Sequence, residues 1–131
     1  MGTMARFLGK KILDKVLRGV DFSVSTVYVS LHTADPGVTG ANEISGGSYA
    51  RQQVNHAGWN AAADATEGSE CTSVSSLTYT NLNACTITHV GLWDALSGGN
   101  FLMGGATIQD SVVGGGGNFI LTAGFLSGKM I

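Results

Sequence analysis

The most constraining feature of this 131-residue sequence is an alternating run at residues 86–93. It is rich in β-branched and aromatic residues at a period of two, which is typical of a strand with both faces at least partly covered: Thr86, Thr88, Val90 and Leu92 alternate with Ile87, His89, Gly91 and Trp93. Turn residues at 94–100 separate this run from a second apolar run that begins at Phe101. The pattern predicts a β-hairpin. Trp93 would anchor it, and its indole N–H would need an acceptor once buried.

The composition favours short strands joined by many turns. Charged residues make up only 12% of the chain, glycine occurs 20 times and proline once. Hydrophobic residues make up 44%, which is enough for an ordered core. The length predicts a single domain over residues 1–131, with an N-terminal helix at 1–19 and a β body at 20–131.

Strand-like segments recur along the β body. The clearest lies at 24–32, with Val27, Val29 and Leu31 on one face. We expect further strands at 49–54, 73–79 and 106–113 (the last a strand or a sheet edge), and one buried on both faces at 118–126. The segments between them read as a loop at 38–48, an exposed excursion around Trp59 at 55–69 and a flexible turn at 114–117. About seven to eight strands predict a β-sandwich or a partly closed barrel. The expected core residues are Val27, Val29, Leu31, Ile87, Trp93, Phe101, Phe119 and Leu121.

Residues 4–18 have the period of an amphipathic helix that ends at Gly19. Five of the seven basic residues lie in this segment, opposed only by Asp14: Arg6, Lys10, Lys11, Lys15 and Arg18. From residue 19 onward, two basic residues face eight acidic ones. The basic helix is therefore either a solvated face on a helix packed against the sheet or a docking element. A membrane-surface helix is disfavoured, because a single such helix on a β domain usually packs on the sheet.

No catalytic, cofactor-binding or metal-binding residues are predicted, and we do not expect an enzyme. The three histidines lie 24 and 33 residues apart, with no nearby second ligand of the kind that zinc sites use. No phosphate-binding glycine motif is present. Three of the four acidic residues that could pair for acid–base work occur in turn contexts; the four are Asp35, Glu43, Asp94 and Asp110. The net charge of −2 gives no reason to expect nucleic acid, and no run is apolar enough to span a membrane. Cys71 and Cys85, without a signal peptide, are expected to be free thiols.

Three motifs extend this interpretation: YVSLHTADPG at 28–37, SGGSYARQ at 45–52 and THVGLWDALSGGNFLMGGA at 88–106. With the amphipathic helix before them, they resemble a family of small virion structural proteins of tailed bacteriophages, commonly labelled tail-fibre proteins. The resemblance implies a structural subunit on the particle exterior, either tail-associated or a capsid decoration (cement) protein. It also implies synthesis in the host bacterial cytoplasm.

The expected partners are other copies of the chain, as a homo-oligomer and most readily a trimer, and a major capsid or tail protein. Low charge lets identical faces meet without desolvating many ions. The alternative function is a carbohydrate-binding module for a host surface glycan, in which Trp59 or Tyr49 stacks on a sugar from a loop.

Overall fold

The computed structural model describes residues 3–64, 69–122 and 127–130. The chain is mainly β with one N-terminal helix, as predicted. The helix is α1 (Arg6–Arg18), and a 3-10 turn occupies His56–Gly58. The strands are β1 (Thr3–Met4), β2 (Val27–His32), β3 (Gln52–Val54), β4 (Ala63–Asp64), β5 (Ser69–Thr72), β6 (Leu77–Leu82), β7 (Cys85–Trp93), β8 (Phe101–Val113), β9 (Gly117–Leu121) and β10 (Ser127–Met130).

The predicted hairpin is present as β7 and β8, at the centre of a five-stranded sheet in the order β1-β8-β7-β2-β3. The segment predicted as a separate strand at 106–113 is the second half of β8. The strand bulges within this half: Ile87 pairs with Ser111 but His89 pairs with Ala106, so Thr88 alone faces residues 107–110. The Thr107 hydroxyl donates to the Thr88 carbonyl across this bulge at 3.1 Å.

The two-stranded sheet of β6 and β9 continues the same hairpin around a bend. Cys85 pairs with Val113, and Leu77, eight residues earlier, pairs with Leu121, eight residues later. The register is therefore unchanged across the corner, apart from a local irregularity at the end of β6. The predicted turn at 114–117 makes this corner, where Gly116 adopts φ +76 and its N–H donates to the Leu82 carbonyl at 2.8 Å. Glycine reaches that conformation without strain.

Two strand predictions need correction. The strand expected at 73–79 lies instead at Leu77–Leu82, because Ser73 is used in an isolated bridge to Trp59. The strand expected at 118–126 is Gly117–Leu121 in the described part, and residues 123–126 lie outside the described residues. It is not buried on both faces: Ile120 is 57% exposed and Leu121 is 3% exposed, since only one face of the ribbon meets the core.

Apolar side chains pack on both faces of the five-stranded sheet. The main core cluster joins this sheet to the β6–β9 ribbon, and the Tyr79 hydroxyl donates to the Val29 carbonyl at 2.9 Å inside it. A smaller outer cluster of Ala5, Trp93 and Phe101 forms a second packing unit. Of the eight expected core residues, Val29, Leu31, Ile87 and Leu121 are fully buried in the main cluster, Val27 and Phe119 are half-buried against it, and Trp93 and Phe101 form part of the outer cluster.

A covering loop, residues 33–51, joins β2 to β3. It contacts the sheet at Trp93 and Phe101, where a side chain at Gly40 would clash with both rings, and at Gly104, which lies against buried Pro36. The described excursion at 55–64 holds the 3-10 turn and β4, while residues 65–68 lie outside the described residues. Among the described residues, no helix is long and apolar enough to cross a membrane. Cys71 and Cys85 are free thiols, as predicted.

Candidate functional site

The beginning of α1 is fixed firmly to the sheet. The first residue of the predicted helix, Met4, belongs to β1 instead and pairs with Met103 of β8, and the second, Ala5, is the N-cap of α1. Ala5 is 2% exposed, and its N–H donates to the Leu102 carbonyl at 2.9 Å. Phe7 and Leu8 then pack against the main core cluster. The orientation of the helix is therefore set by its first two turns.

The C-terminal half of α1 is not covered. The helix ends at Gly19, which adopts φ 68, and the N–H groups of Gly19 and Val20 both donate to the Asp14 carbonyl. Three apolar side chains of the helix at i, i+3 and i+4 face solvent, and a fourth follows directly after its end; we name the four the helix stripe: Leu13 (59% exposed), Val16 (72%), Leu17 (75%) and Val20 (40%). The expectation of a helix packed on the sheet is wrong for this half, because the packing contacts end with the early turns.

The five basic residues accompany this stripe. Lys15 Nζ lies 2.6 Å from Asp21 Oδ1, and Arg18 Nη1 lies 3.1 Å from Asp14 Oδ1. Lys11 Nζ lies 5.7 Å from the centre of the Phe7 ring. Arg6, Lys10 and Lys11 line a cleft of about 440 Å³ with Phe7 and Asp14. Exposed ion pairs of this kind contribute little to stability, so these cations can exchange their partners for those of a docked surface at small cost.

A buried ion pair fastens the covering loop to the hairpin tip. Arg51 donates from Nε to Glu43 Oε2 and from Nη2 to Glu43 Oε1, both at 2.9 Å. Its Nη1 donates to the carbonyls of Ala95 and Gly98, also at 2.9 Å. The guanidinium carbon lies 3.8 Å from the centre of the Trp93 ring. We name this group, Glu43 with Arg51, the loop clamp.

The electrostatics of the clamp are those of a satisfied pair. Burial alone would raise the pKa of Glu43, but hydrogen bonds from Arg51 and from the Tyr49 hydroxyl outweigh it and hold that pKa below its ordinary value. Burial, followed by the bond to Glu43, raises the pKa of Tyr49 well above its usual range. Glu43 therefore stays ionised and Tyr49 stays a neutral donor.

A second polar network lies on the same face of the sheet. The Trp93 indole N–H finds the acceptor that the sequence required: it donates to Ser30 Oγ at 2.9 Å. Ser30 Oγ lies 2.6 Å from His32 Nε2, and His32 Nδ1 lies 2.7 Å from the Ala41 carbonyl. Because a carbonyl only accepts, Nδ1 carries the proton and Nε2 accepts from the Ser30 hydroxyl. Ser30 and His32 are both 0% exposed, so the pair is closed to any substrate.

The other candidate residues also have internal roles. The two rings proposed for sugar stacking, Tyr49 and Trp59, both pack against the main core cluster, and Tyr49 also stacks on Tyr79 at 6.1 Å. His56 Nε2 lies 2.7 Å from the Val24 carbonyl, and His89 Nδ1 lies 2.7 Å from the Thr88 hydroxyl. Across residues 3–64, 69–122 and 127–130, no three His, Cys, Asp or Glu side chains are grouped to hold a metal ion.

Neither polar network is predictable from the local sequence pattern. Glu43 and Arg51 are eight residues apart in a loop without periodicity, and only the resemblance motif at 45–52 singled out Arg51. The contact between Ser30 and His32 had only a weak signal in the sequence, namely that residues two apart in a strand share a face.

These observations define a class of protein. A small mainly-β domain has its best-developed polar networks closed on themselves, and it exposes apolar side chains along the second half of a basic helix. The sequence model of the family described as Podophage GP4 fiber I protein gp80 matches residues 3–129, and the chain belongs to this family. It is accordingly a fibre-type structural protein associated with a phage tail, and a virion component. No curated protein matches the sequence.

Proposed function

We propose that the chain is a non-catalytic subunit of the virion that docks onto another virion protein through α1 and associates with copies of itself, most readily as a trimer. The observation that carries the proposal is the helix stripe. Isolated exposed apolar residues are ordinary, but a contiguous apolar stripe on a firmly anchored helix marks an interaction surface. The proposed partner is a tail protein. The alternative location is the capsid, where the same helix would dock the chain, as a decoration protein, onto the major capsid protein.

The chemistry of the helix indicates the chemistry of its partner. Complete burial of a Leu or Val side chain contributes about 1.5–3 kcal/mol, so the stripe offers several kcal/mol to an apolar groove. At 100° per residue, Arg6 and Lys10 lie on the same side of the helix as the stripe, so a groove that reaches them would carry acidic groups at that end. A second copy of α1 does not fit this description, because two such helices side by side would bring ten basic residues together against two acidic ones.

Self-association is better suited to the β body. The outer side of the bent ribbon exposes six uncharged side chains: Thr78, Thr80, Thr86, Val112, Asn118 and Ile120. A face without charges can meet its own copy without desolvating ions. The free thiols of Cys71 and Cys85 support synthesis in the reducing cytoplasm of a bacterial host before incorporation.

The test of docking uses point variants, because deleting residues 1–18 would also remove β1 and Ala5 from the sheet. We expect Leu13→Gln with Leu17→Gln to lower rebinding to particles that lack the protein by about tenfold or more, since each substitution abolishes burial of a large apolar group. Circular dichroism should be unchanged, because both side chains are exposed.

The matched control is Leu96→Gln, which changes a side chain of similar exposure (56%) at the hairpin tip. It should rebind at the wild-type level. A helix variant that rebinds at full occupancy would contradict the docking role. Sedimentation equilibrium tests the oligomer separately: a mass that stays monomeric at micromolar concentration would contradict self-association.

A glycan-binding module is the second candidate function. The observation in its favour is a cleft of about 360 Å³ beside the loop clamp, lined by Glu43, Tyr49, Leu96 and Ser97 among others. Its carboxylate, hydroxyls and apolar lip suit a sugar ring. Glycan-array binding that is lost on Leu96→Gln, with docking intact, would favour this function.

A further inference from the structure

We propose that Ser30, His32 and the Ala41 carbonyl form an acid-sensitive latch that holds the first half of the covering loop, residues 33–44, on the five-stranded sheet. The latch is a conformational device beyond the docking role. It rests on a buried imidazole whose two nitrogens are both committed, so that only one protonation state fits the contacts around it.

The contacts at Nε2 are incompatible with a protonated ring. In the neutral ring, Nε2 accepts the Ser30 hydroxyl proton while Ser30 Oγ accepts the Trp93 indole N–H. A proton on Nε2 would turn both His32 and Trp93 into donors toward Ser30, and the serine proton would then need another acceptor. The backbone of β7 lies directly against this pair, since a side-chain carbon at Gly91 would lie 2.7 Å from both His32 Nε2 and Ser30 Oγ.

Burial has a larger effect on the pKa of His32 than the charged groups around it. Glu43 acts on it from the covering loop, Arg51 from the end of that loop and His89 from β7, while β8 contributes the uncharged ring of Phe101. Burial lowers the pKa of His32 below its ordinary value of 6.5, more strongly than the Ala41 bond and Glu43 raise it.

The consequence is confined to one part of the loop. Residues 33–44 are held on the sheet by the Ala41 carbonyl on the His32 ring, by Pro36 and Gly40 packed against β7 and β8, and by the Ile44 N–H on the Leu31 carbonyl. The end of the loop has further attachments, namely the Ser48 N–H on the Asn81 carbonyl and the loop clamp, which holds Glu43 as well as Arg51. Protonation of His32 should therefore loosen the first half of the loop up to Asn42, while the clamp keeps Glu43 and the residues after it attached.

The sign follows from linkage. A histidine whose pKa is lower in the closed loop than in the open loop stabilises the closed state at pH values above its ordinary pKa. That stabilisation is lost as the pH falls below the ordinary pKa. While the closed ring stays neutral, closure weakens by about tenfold for each pH unit below 6.5.

Hydrogen exchange with mass spectrometry at pH 7.5 and pH 5.5 tests the latch, with rates corrected for intrinsic exchange. We expect protection in peptides covering 33–44 to fall, by at most about tenfold, with a smaller change in β6 and β9. Protection in 33–44 that is unchanged between the two pH values would overturn the proposal.

Variants assign the effect to His32. His32→Gln keeps a neutral side chain and should remove the pH dependence of the loop, whereas His56→Gln, an exposed position, should leave it as in the wild type. A folded His32→Gln variant with wild-type pH dependence would refute the latch. If that variant does not fold, nuclear magnetic resonance of the wild-type His32 ring decides: its protonation must coincide with loop opening, and protonation without opening would refute it.

Discussion

Replacing Arg51 with methionine tests whether the loop clamp stabilises the fold. The change keeps an apolar stem over Trp93 but removes two hydrogen bonds to Glu43 and two to the carbonyls of Ala95 and Gly98. Breaking one partner of a buried ion pair costs about 3–5 kcal/mol. The Arg51 side chain is 7% exposed but that of Glu43 is 21% exposed, so water can rehydrate part of the carboxylate. We therefore expect a loss of about 3 kcal/mol in the free energy of unfolding at pH 7.

The same variant should show a changed pH dependence. In the wild type the pKa of Glu43 lies below its ordinary 4.5, so its contribution is present above pH 4.5 and is lost as pH falls through the folded value. In Arg51→Met the hydrogen bonds from Arg51 no longer oppose the effect of burial, so the pKa of Glu43 rises. The variant is therefore destabilised most at pH values where the carboxylate is ionised. The difference between the two proteins should accordingly be smaller at pH 4 than at pH 7.

Urea denaturation at both pH values measures these differences. Arg51→Met combined with Glu43→Met should recover about half or more of the loss, because an apolar pair leaves no uncompensated charge. The control is Arg18→Met, which removes an exposed ion pair with Asp14 and should leave the midpoint unchanged within error. A loss below about 1 kcal/mol at pH 7, or an equal loss at both pH values, would refute the reasoning.

Two further predictions concern stability and redox state. Trp93→Ala should cost about 3–5 kcal/mol in chemical denaturation, because it empties a large buried aromatic site and leaves Ser30 without its indole donor; an unchanged midpoint would mean that the ring contributes no packing. Alkylation without reductant should label both Cys71 and Cys85 once the protein is unfolded, and an intact mass with no label would show a disulfide.

Local patterns in the sequence predicted the elements but not their long-range pairing. Alternation at 86–93 identified β7, and periodicity with Gly19 identified α1 to within two residues. The pairing of β6 with β9 was not predictable, because Leu77 and Leu121 are 44 positions apart and the ladder between them bends at a corner. The bulge at 107–110 concealed the length of β8, since its extra residues break the alternation of side chains.

The candidate site shows the same division. The helix had apolar residues along two edges, Leu8 and Ile12 on one and Leu13 and Leu17 on the other, and nothing local distinguishes a covered edge from an open one. Which edge of the helix is covered depends on β1, because its pairing with β8 fixes the direction in which the helix leaves the sheet. The loop clamp is also a tertiary feature, because the carbonyls that Arg51 binds belong to the hairpin tip more than 40 residues away.

The distribution of exposed apolar residues is the reason to place the docking function on α1 rather than on the body. Among the described residues, eight large apolar side chains are exposed, and four of them fall within the eight positions from Leu13 to Val20. Of the other four, Val112 and Ile120 lie on the ribbon face proposed for self-association, and Val74 and Leu96 are single exposed residues, as on any protein surface. In contrast, the two polar networks of the body, at Arg51 and at His32, bind internal partners and keep the covering loop in place. In the proposed docking role, the body fixes the orientation of the helix, and the helix supplies the surface that a neighbouring protein would bury.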